Sequence, residues 1–345
     1  MSSKALETPK PNRNIFKSVF FLLFKIITGV LVLALILTLF LFLKPIPVTE
    51  LSAVSNLNYD QSLNKVKSQV SAEKDKVEPV CQTKLLEHSK KTEKVIVLFH
   101  GFTNCPAQFS EFAQKLFNDG YNVYIPRIPH HGLKNVLTED LQNLTVKELE
   151  NTISDSISVA TGLGDKVTLF GISGGGVMAA FGGYFFKEVN SVVFAAPLFT
   201  PGFIDVNALS FLINAIDTVP NIFFWWDDKA KEKVEGPKYA YPKYSSKAAG
   251  AFFKLSQSLK VALENNQVSQ KGKTLVLLTK ENDPAISNKT ARGMIETWVS
   301  YPDTTIITYQ FASDKAPIHD FIDPNQTKAN TDYIYPIVKN LINKI

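Results

Sequence analysis

The sequence predicts an α/β fold, a mostly parallel twisted sheet with helices on both faces, on three observations. From Val95 onward, short apolar runs of strand length alternate with longer segments of helical spacing. One of these runs, Lys166 to Phe170, passes through Gly171-Ile172-Ser173-Gly174-Gly175-Gly176 directly into a small-residue helix. Residues capable of chemistry follow strands, and the carboxyl edge of a parallel sheet is where such groups gather.

The 345 residues are 45% hydrophobic and 20% charged, as expected for one globular domain with an appendage. The net charge is +5, but the basic residues are scattered without an aromatic-basic stripe, which argues against a nucleic-acid partner. The appendage is the stretch 19–43, whose only charge is Lys25. At about 1.5 Å per residue it is long enough to cross about 30 Å of hydrocarbon. A cleaved signal peptide is the competing reading, but its apolar region is shorter, and Leu43-Lys44-Pro45-Ile46-Pro47 offers no small-x-small cleavage site. Lys4, Lys10, Arg13 and Lys17 precede the span, whereas Lys44 alone follows closely. The positive-inside rule then makes 1–18 cytoplasmic and 19–43 a single transmembrane anchor, with the remainder outside the cytoplasm, periplasmic or lumenal.

Beyond the anchor, 44–77 reads as a connector or stalk, with a surface helix over Asn58 to Lys74. The folded domain is expected over 78–345. A strand over Cys81 to His88 precedes the apolar strand Val95 to Phe99, and helix Ala107 to Asn118 ends at Gly120. Strand Asn122 to Ile125 stops at Pro126, and helix Val146 to Thr161 leads to the strand at Val167. Helix Gly174 to Phe186 and strand Ser191 to Ala196 follow. Strand Thr274 to Thr279, helix Lys289 to Val299, strand Thr304 to Phe311 and a terminal helix from Tyr333 complete the alternation. Between them, about 198–271 has no clear strand and is rich in aromatics, including Phe203, Phe223, Phe224, Trp225 and Trp226. It reads as a helical cap insertion over the mouth of the site.

The strand-turn-helix context of Gly171-Ile172-Ser173-Gly174-Gly175 is that of the G-x-S-x-G elbow, which makes Ser173 the candidate nucleophile. A serine hydroxyl needs a base to take its proton and a carboxylate to orient that base. Of the five histidines, His319 lies in the loop between the last strand and the terminal helix, where a strand-end base belongs. His100 ends a strand and is read as fixing the next loop through hydrogen bonds. His130 and His131 lie on a Pro- and Gly-flanked loop, and His88 precedes the core strands. Asp283, in the turn set by Pro284, is the candidate carboxylate, with Glu281 as the alternative. The oxyanion donors are expected to be the N–H of Gly174 and, from the loop after the first core strand, that of Phe102. Cys81 and Cys105 form a candidate disulfide in an oxidising compartment, two free thiols being the alternative. A bridge would tie the pre-core segment to the loop that carries Phe102.

His100-Gly-Phe-Thr-Asn-Cys-Pro106, Pro126-Arg-Ile-Pro-His-His-Gly132, Gly171-Ile-Ser-Gly-Gly175, Glu281-Asn-Asp283 and His319-Asp320 together resemble the α/β-hydrolase superfamily. The likeness is to its carboxylesterase and monoacylglycerol lipase-like branch and spans roughly Glu78 to Ile345. It implies Ser173, Asp283 and His319 as a triad, Phe102 and Gly174 as oxyanion donors, and ester hydrolysis through an acyl-enzyme. The sequence carries no metal-ligand cluster, phosphate-binding loop or dinucleotide fingerprint, so no cofactor or metal is expected. Trp225-Trp226-Asp227 and Tyr239-Ala-Tyr241-Pro242 also resemble segments of a bacterial subgroup. Gly174 stands where many relatives carry a larger residue, so a looser elbow is expected, and the anchor departs from soluble esterases. The resulting expectation is an anchored serine hydrolase acting on carboxylic esters, monoacylglycerol or lysolipid among them. Acyl transfer, amide or thioester cleavage on the same triad, and a catalytically silent anchored scaffold are the alternatives.

Overall fold

Strand formation starts where β-branched and aromatic residues cluster between turn formers, and these runs assemble into one seven-stranded sheet. The computed structural model describes residues 13–46, 51–265, 273–300 and 303–345. Lys4 and Lys10, and the end of the expected cap at 266–271, lie outside the described residues. The chain divides into two units, Met1–Pro45 and Ile46–Ile345.

In the first unit, helix α1 covers Arg13–Leu43. Its portion Lys17–Leu43 is long and apolar enough to cross a membrane, with an 18-residue stretch that reaches a mean hydropathy of 3.0.

The second unit contains β1 (Lys84–Leu86), β2 (Thr92–Phe99), β3 (Asn122–Ile125), β4 (Gly164–Ile172), β5 (Val189–Ala195), β8 (Thr274–Lys280) and β9 (Thr305–Phe311) in the main sheet, with β6 (Phe223–Trp225) and β7 (Lys243–Ser245) in a separate ribbon. The main order is β1-β3-β2-β4-β5-β8-β9, parallel throughout except for β1, which pairs antiparallel with β3. β4, the strand that leads to Ser173, is therefore central, and Phe99 of β2 is level with Gly171 of β4. Both faces are covered. Leu169 points to Gly182 of helix α5 (Gly174–Phe185), while the next residue, Phe170, meets Phe112 of helix α3 (Ser110–Asn118) with ring centroids 5.7 Å apart. This two-residue alternation with apolar contacts on each side is the signature of a doubly covered parallel sheet. Helix α9 (Thr331–Ile342) joins α3 through Tyr335 and Phe112, whose rings are 5.0 Å apart. On the other face Trp298 of α8 (Asn288–Val299) packs on Tyr184 of α5 and Phe194 of β5.

Three local expectations differ from the structure. The strand expected over Cys81 to His88 is shortened to β1, because Pro79–Cys81 forms a 3-10 turn. The Glu73 carboxylate then accepts hydrogen bonds from the Thr83 N–H and hydroxyl. The helix expected as a stalk is α2 (Tyr59–Glu73), which lies along α4 (Val146–Leu163) and buries Ser62 and Val66. The approach is close enough that a Cβ at Gly162 would come within 2.3 Å of Ser62 Oγ. The expected all-helical cap contains α6 (Leu209–Thr218), the antiparallel β6–β7 ribbon and α7 (Ser246–Glu264). Alternation in Phe223-Phe224-Trp225 is too short to stand out in sequence, and pairing with Lys243–Ser245 stabilises it. Helix α7 belongs to the core layer rather than to a cap: Phe252, Leu255 and Leu259 are fully buried, and the Tyr184 hydroxyl donates to the Ala262 carbonyl.

Candidate active site

Every candidate residue lies on a segment that leaves the carboxyl edge of the sheet: Phe102 after β2, Ser173 after β4, Asp283 after β8 and His319 after β9. Ser173 takes φ 55 and ψ −118 between the end of β4 and the start of α5. Its backbone is pinned there, its N–H donating to the Ala195 carbonyl at 2.9 Å and its own carbonyl accepting from the Leu198 N–H at 3.0 Å. The flanking glycines are steric necessities. A Cβ at Gly171 would sit 1.9 Å from the Gly175 carbonyl oxygen, and one at Gly175 would sit 2.0 Å from the Phe99 carbonyl oxygen. Gly174 is different, and the looser elbow expected there is not what the structure has. A Cβ at Gly174 would meet the Phe252 ring at 3.0 Å and Phe102 Cβ at 3.3 Å, so two aromatic side chains occupy the room a larger residue would take.

Asp283 begins a turn in which its Oδ1 accepts from the Ala285 N–H at 2.9 Å. Its side chain is fully buried and faces His319, with Nδ1 to Oδ2 at 2.9 Å and Nδ1 to Oδ1 at 3.0 Å. Burial pushes the Asp283 carboxyl up. The hydrogen bond and charge of His319, with the Ala285 N–H, outweigh that and hold it below the ordinary carboxylate range. The other imidazole nitrogen, His319 Nε2, is buried without a hydrogen-bond partner among the described residues. Glu281, the alternative acid, faces away: its carboxylate accepts from the exposed Ser313 N–H. β4 and β8 are separated by one strand, so the strands that lead to Ser173 and to Asp283 lie about 10 Å apart.

The loop after β2 is fixed at nearly every residue. His100 is fully buried, which keeps its imidazole neutral, its pKa well below the ordinary value. Its Nε2 accepts from the Ile128 N–H at 3.1 Å, so Nδ1 carries the proton and donates to the Gly101 carbonyl at 3.0 Å. The Gly101 N–H donates to Gln108 Oε1 at 2.8 Å. Phe102 follows, and its nearness to Gly174 puts the two candidate oxyanion donors side by side, at the amino end of α5 where the helix dipole favours negative charge. Asn104 Nδ2 donates to Asp320 Oδ2 at 3.0 Å, joining this loop to the one that bears His319. Cys105 is bonded to Cys81, so the pre-core segment is tied to the same loop.

The family model for the alpha/beta hydrolase family matches residues 96–320, most of the second unit. The chain belongs to that family. Among curated proteins none matches the sequence. Solved structures similar to this hydrolase include a metagenome-derived lipolytic enzyme of the pair LipS and LipT, at 16% identity and a TM-score of 0.58 over 78% of this chain and 100% of that one. A soluble variant of monoglyceride lipase from Saccharomyces cerevisiae aligns at 17% identity and a TM-score of 0.53, covering 76% of this chain and 90% of that one. Monoacylglycerol lipase from Paleococcus ferrophilus gives 19% and 0.52, over 76% and 98%. At these identities the likeness is one of fold.

Sequence reasoning did not find what the insertion contributes to this hydrolase's site. The Trp226 indole N–H donates to Thr103 Oγ1 at 2.9 Å, and the Tyr241 N–H donates to the Thr103 carbonyl at 2.8 Å. The Tyr239 hydroxyl donates to the fully buried Asp323 at 2.8 Å. Burial and the charge of Asp320 push the Asp323 carboxyl up to about 6. The signal was present as the two aromatic segments around Trp226 and Tyr239, but their targets lie far off along the chain.

Proposed function

We propose that this protein is a membrane-anchored serine hydrolase that cleaves carboxylic esters through an acyl-enzyme. The observation that carries the reading is His319, anchored at Nδ1 by a buried carboxylate and with a buried, unpartnered Nε2. That is the orientation of a general base whose second nitrogen waits for a hydroxyl. Ser173 Oγ attacks the ester carbonyl while its proton passes to His319 Nε2. The oxyanion is received by the N–H groups of Phe102 and Gly174, and Asp283 stabilises the imidazolium without taking its proton. Collapse returns the proton to the leaving alkoxide; water, deprotonated by the same imidazole, then releases the acid.

Acyl chains, as in monoacylglycerol or lysolipid, suit the aromatic surroundings, since Phe102 packs against Phe252, Tyr244 and Trp226 with ring centroids 5.3 to 6.4 Å apart. The anchor over 19–43 keeps the site near lipid, with 1–18 cytoplasmic and the hydrolase unit outside the cytoplasm, as the basic flank favours. A fluorophosphonate probe should label the full-length protein in detergent and fail to label Ser173→Ala. A folded wild-type protein that never labels would remove the reading. Rates on p-nitrophenyl esters of graded length and on monoacylglycerol then set the chain preference, and activity confined to acetate would exclude lipid substrates.

A further inference from the structure

Thr103 follows the candidate oxyanion donor Phe102 directly and has φ 66, in the left-handed region that β-branched residues rarely adopt. A conformation of that kind persists only where surrounding contacts determine it. Here both determining contacts come from the insertion, more than a hundred residues away. The Trp226 Nε1–H donates to the Thr103 hydroxyl, and the Tyr241 N–H donates to its carbonyl. Trp226 is itself positioned. Its backbone N–H donates to the Pro242 carbonyl at 3.0 Å, its ring lies 4.4 Å from that of Tyr244, and its edge meets Phe102 at 6.4 Å. About half of its surface is nevertheless exposed.

We infer that Trp226 is a positioning residue for the oxyanion loop: its indole N–H holds Thr103, and through Thr103 it aims the Phe102 N–H at the reacting carbonyl. The inference rests on the hydrolase reading above and deepens it, giving the insertion a part in turnover. Because Trp226 lies half in solvent at the edge of the Phe102 cluster, its hydrogen bond connects the surface of the insertion with the donor loop. The effect belongs to the transition state, where the oxyanion forms, so it appears in kcat rather than in KM.

The test uses the full-length protein in detergent with p-nitrophenyl butyrate and a fluorophosphonate probe. Trp226→Phe keeps a ring on Tyr244 and removes the N–H, and Thr103→Val keeps the branched shape and removes the acceptor. Each should lower kcat about tenfold, a fraction of the loss on deleting a donor outright, with KM within about twofold and the thermal midpoint near that of wild type. Thr103→Ser, which restores the hydroxyl, should recover most of the rate. The double variant should be no slower than either single one, because both remove the same bond. Unchanged kcat in Trp226→Phe, a change in KM alone, or losses that multiply in the double variant would overturn the inference. If Trp226→Phe does not fold, Thr103→Val against Thr103→Ser decides by the same kcat criterion. A wild-type protein that neither labels nor turns over ester removes the hydrolase reading and this inference together; an active wild type with indifferent variants removes only the inference.

Discussion

Ser173 is held at φ 55 and ψ −118, a backbone state in which a side chain is strained and glycine is not. Ser173→Gly is therefore expected to abolish labelling while raising stability by about 1 kcal/mol, the strain relieved being partly offset by glycine's entropy. Thermal melts beside the labelling assay check this, and a destabilised Ser173→Gly would show that the elbow is relaxed. Asp283→Asn should preserve the fold but lower kcat by about 10⁴ by presenting the wrong partner to Nδ1, as burst-corrected turnover would reveal. The two buried carboxyls near the site act on stability with opposite signs. Asp283 is held below the ordinary carboxylate range, so its contribution is present above the unfolded value and lost as pH falls through the folded one. Asp323 is pushed up to about 6, so between about 4 and 6 the folded state binds more protons than the unfolded one, and stability falls as pH rises. Asp323→Asn keeps an acceptor for Tyr239 and should melt higher than wild type at pH 7, the difference vanishing below about pH 4. Melts across that range decide it, and a gap that persists in acid would trace the effect to something other than charge.

At the scale of elements, the loop after β2 is a junction. The Cys81–Cys105 bond ties it to the 3-10 turn at Pro79–Cys81, and Asn104 ties it to the His319 loop. Gly132, at φ 67, closes against the bond so tightly that a Cβ there would lie 2.6 Å from Cys81 Cβ. The bond spans 24 residues, for which loop-closure entropy gives about 3 kcal/mol of stability. Reduction, or replacement of both cysteines by serine, should cost stability of that order and lower kcat through the loosened Phe102 loop. Unfolding curves and turnover with and without reductant measure both, and equal kcat in the two states would detach the bond from the candidate oxyanion donors.

For the whole molecule, the division at Pro45 sets where the chain can be cut. Sequence placed the start of the folded domain near 78, because the spacing in α2 is weak and its polar residues read as solvated. In the structure the segment before α2 is already bonded to α4, with the Ser55 N–H donating to Ser158 Oγ at 3.0 Å. Glu73 at the end of α2 pairs with Arg127 Nε at 3.1 Å, and both groups are largely shielded. A protein beginning at Ile46 should be soluble and hydrolyse short esters at the full-length rate, while the full chain stays with membranes through an alkaline wash. One beginning at Glu78 should lose stability markedly, since it exposes the α4 surface that covers Val66 and leaves Arg127 without its carboxylate. Comparing the expression and melting of the two truncated proteins checks this boundary.

Sequence by itself determined the features that are local or periodic. Alternating strand and helix runs specified a parallel sheet, the glycines around Ser173 specified a turn that admits no Cβ, and positions just after strands singled out Asp283 and His319. Those features are written within a few residues of one another, because backbone sterics and side-chain periodicity act over that range. Only the tertiary structure decided what depends on pairing between distant segments. The Trp226 bond reaches 123 residues back to Thr103, and the Asn104 bond reaches 216 residues forward to Asp320. Asp323 became a buried acid, α7 a core helix and α2 part of the folded unit for the same reason. Burial and hydrogen-bond partners belong to the assembled sheet and its loops, and no single stretch of chain carries them.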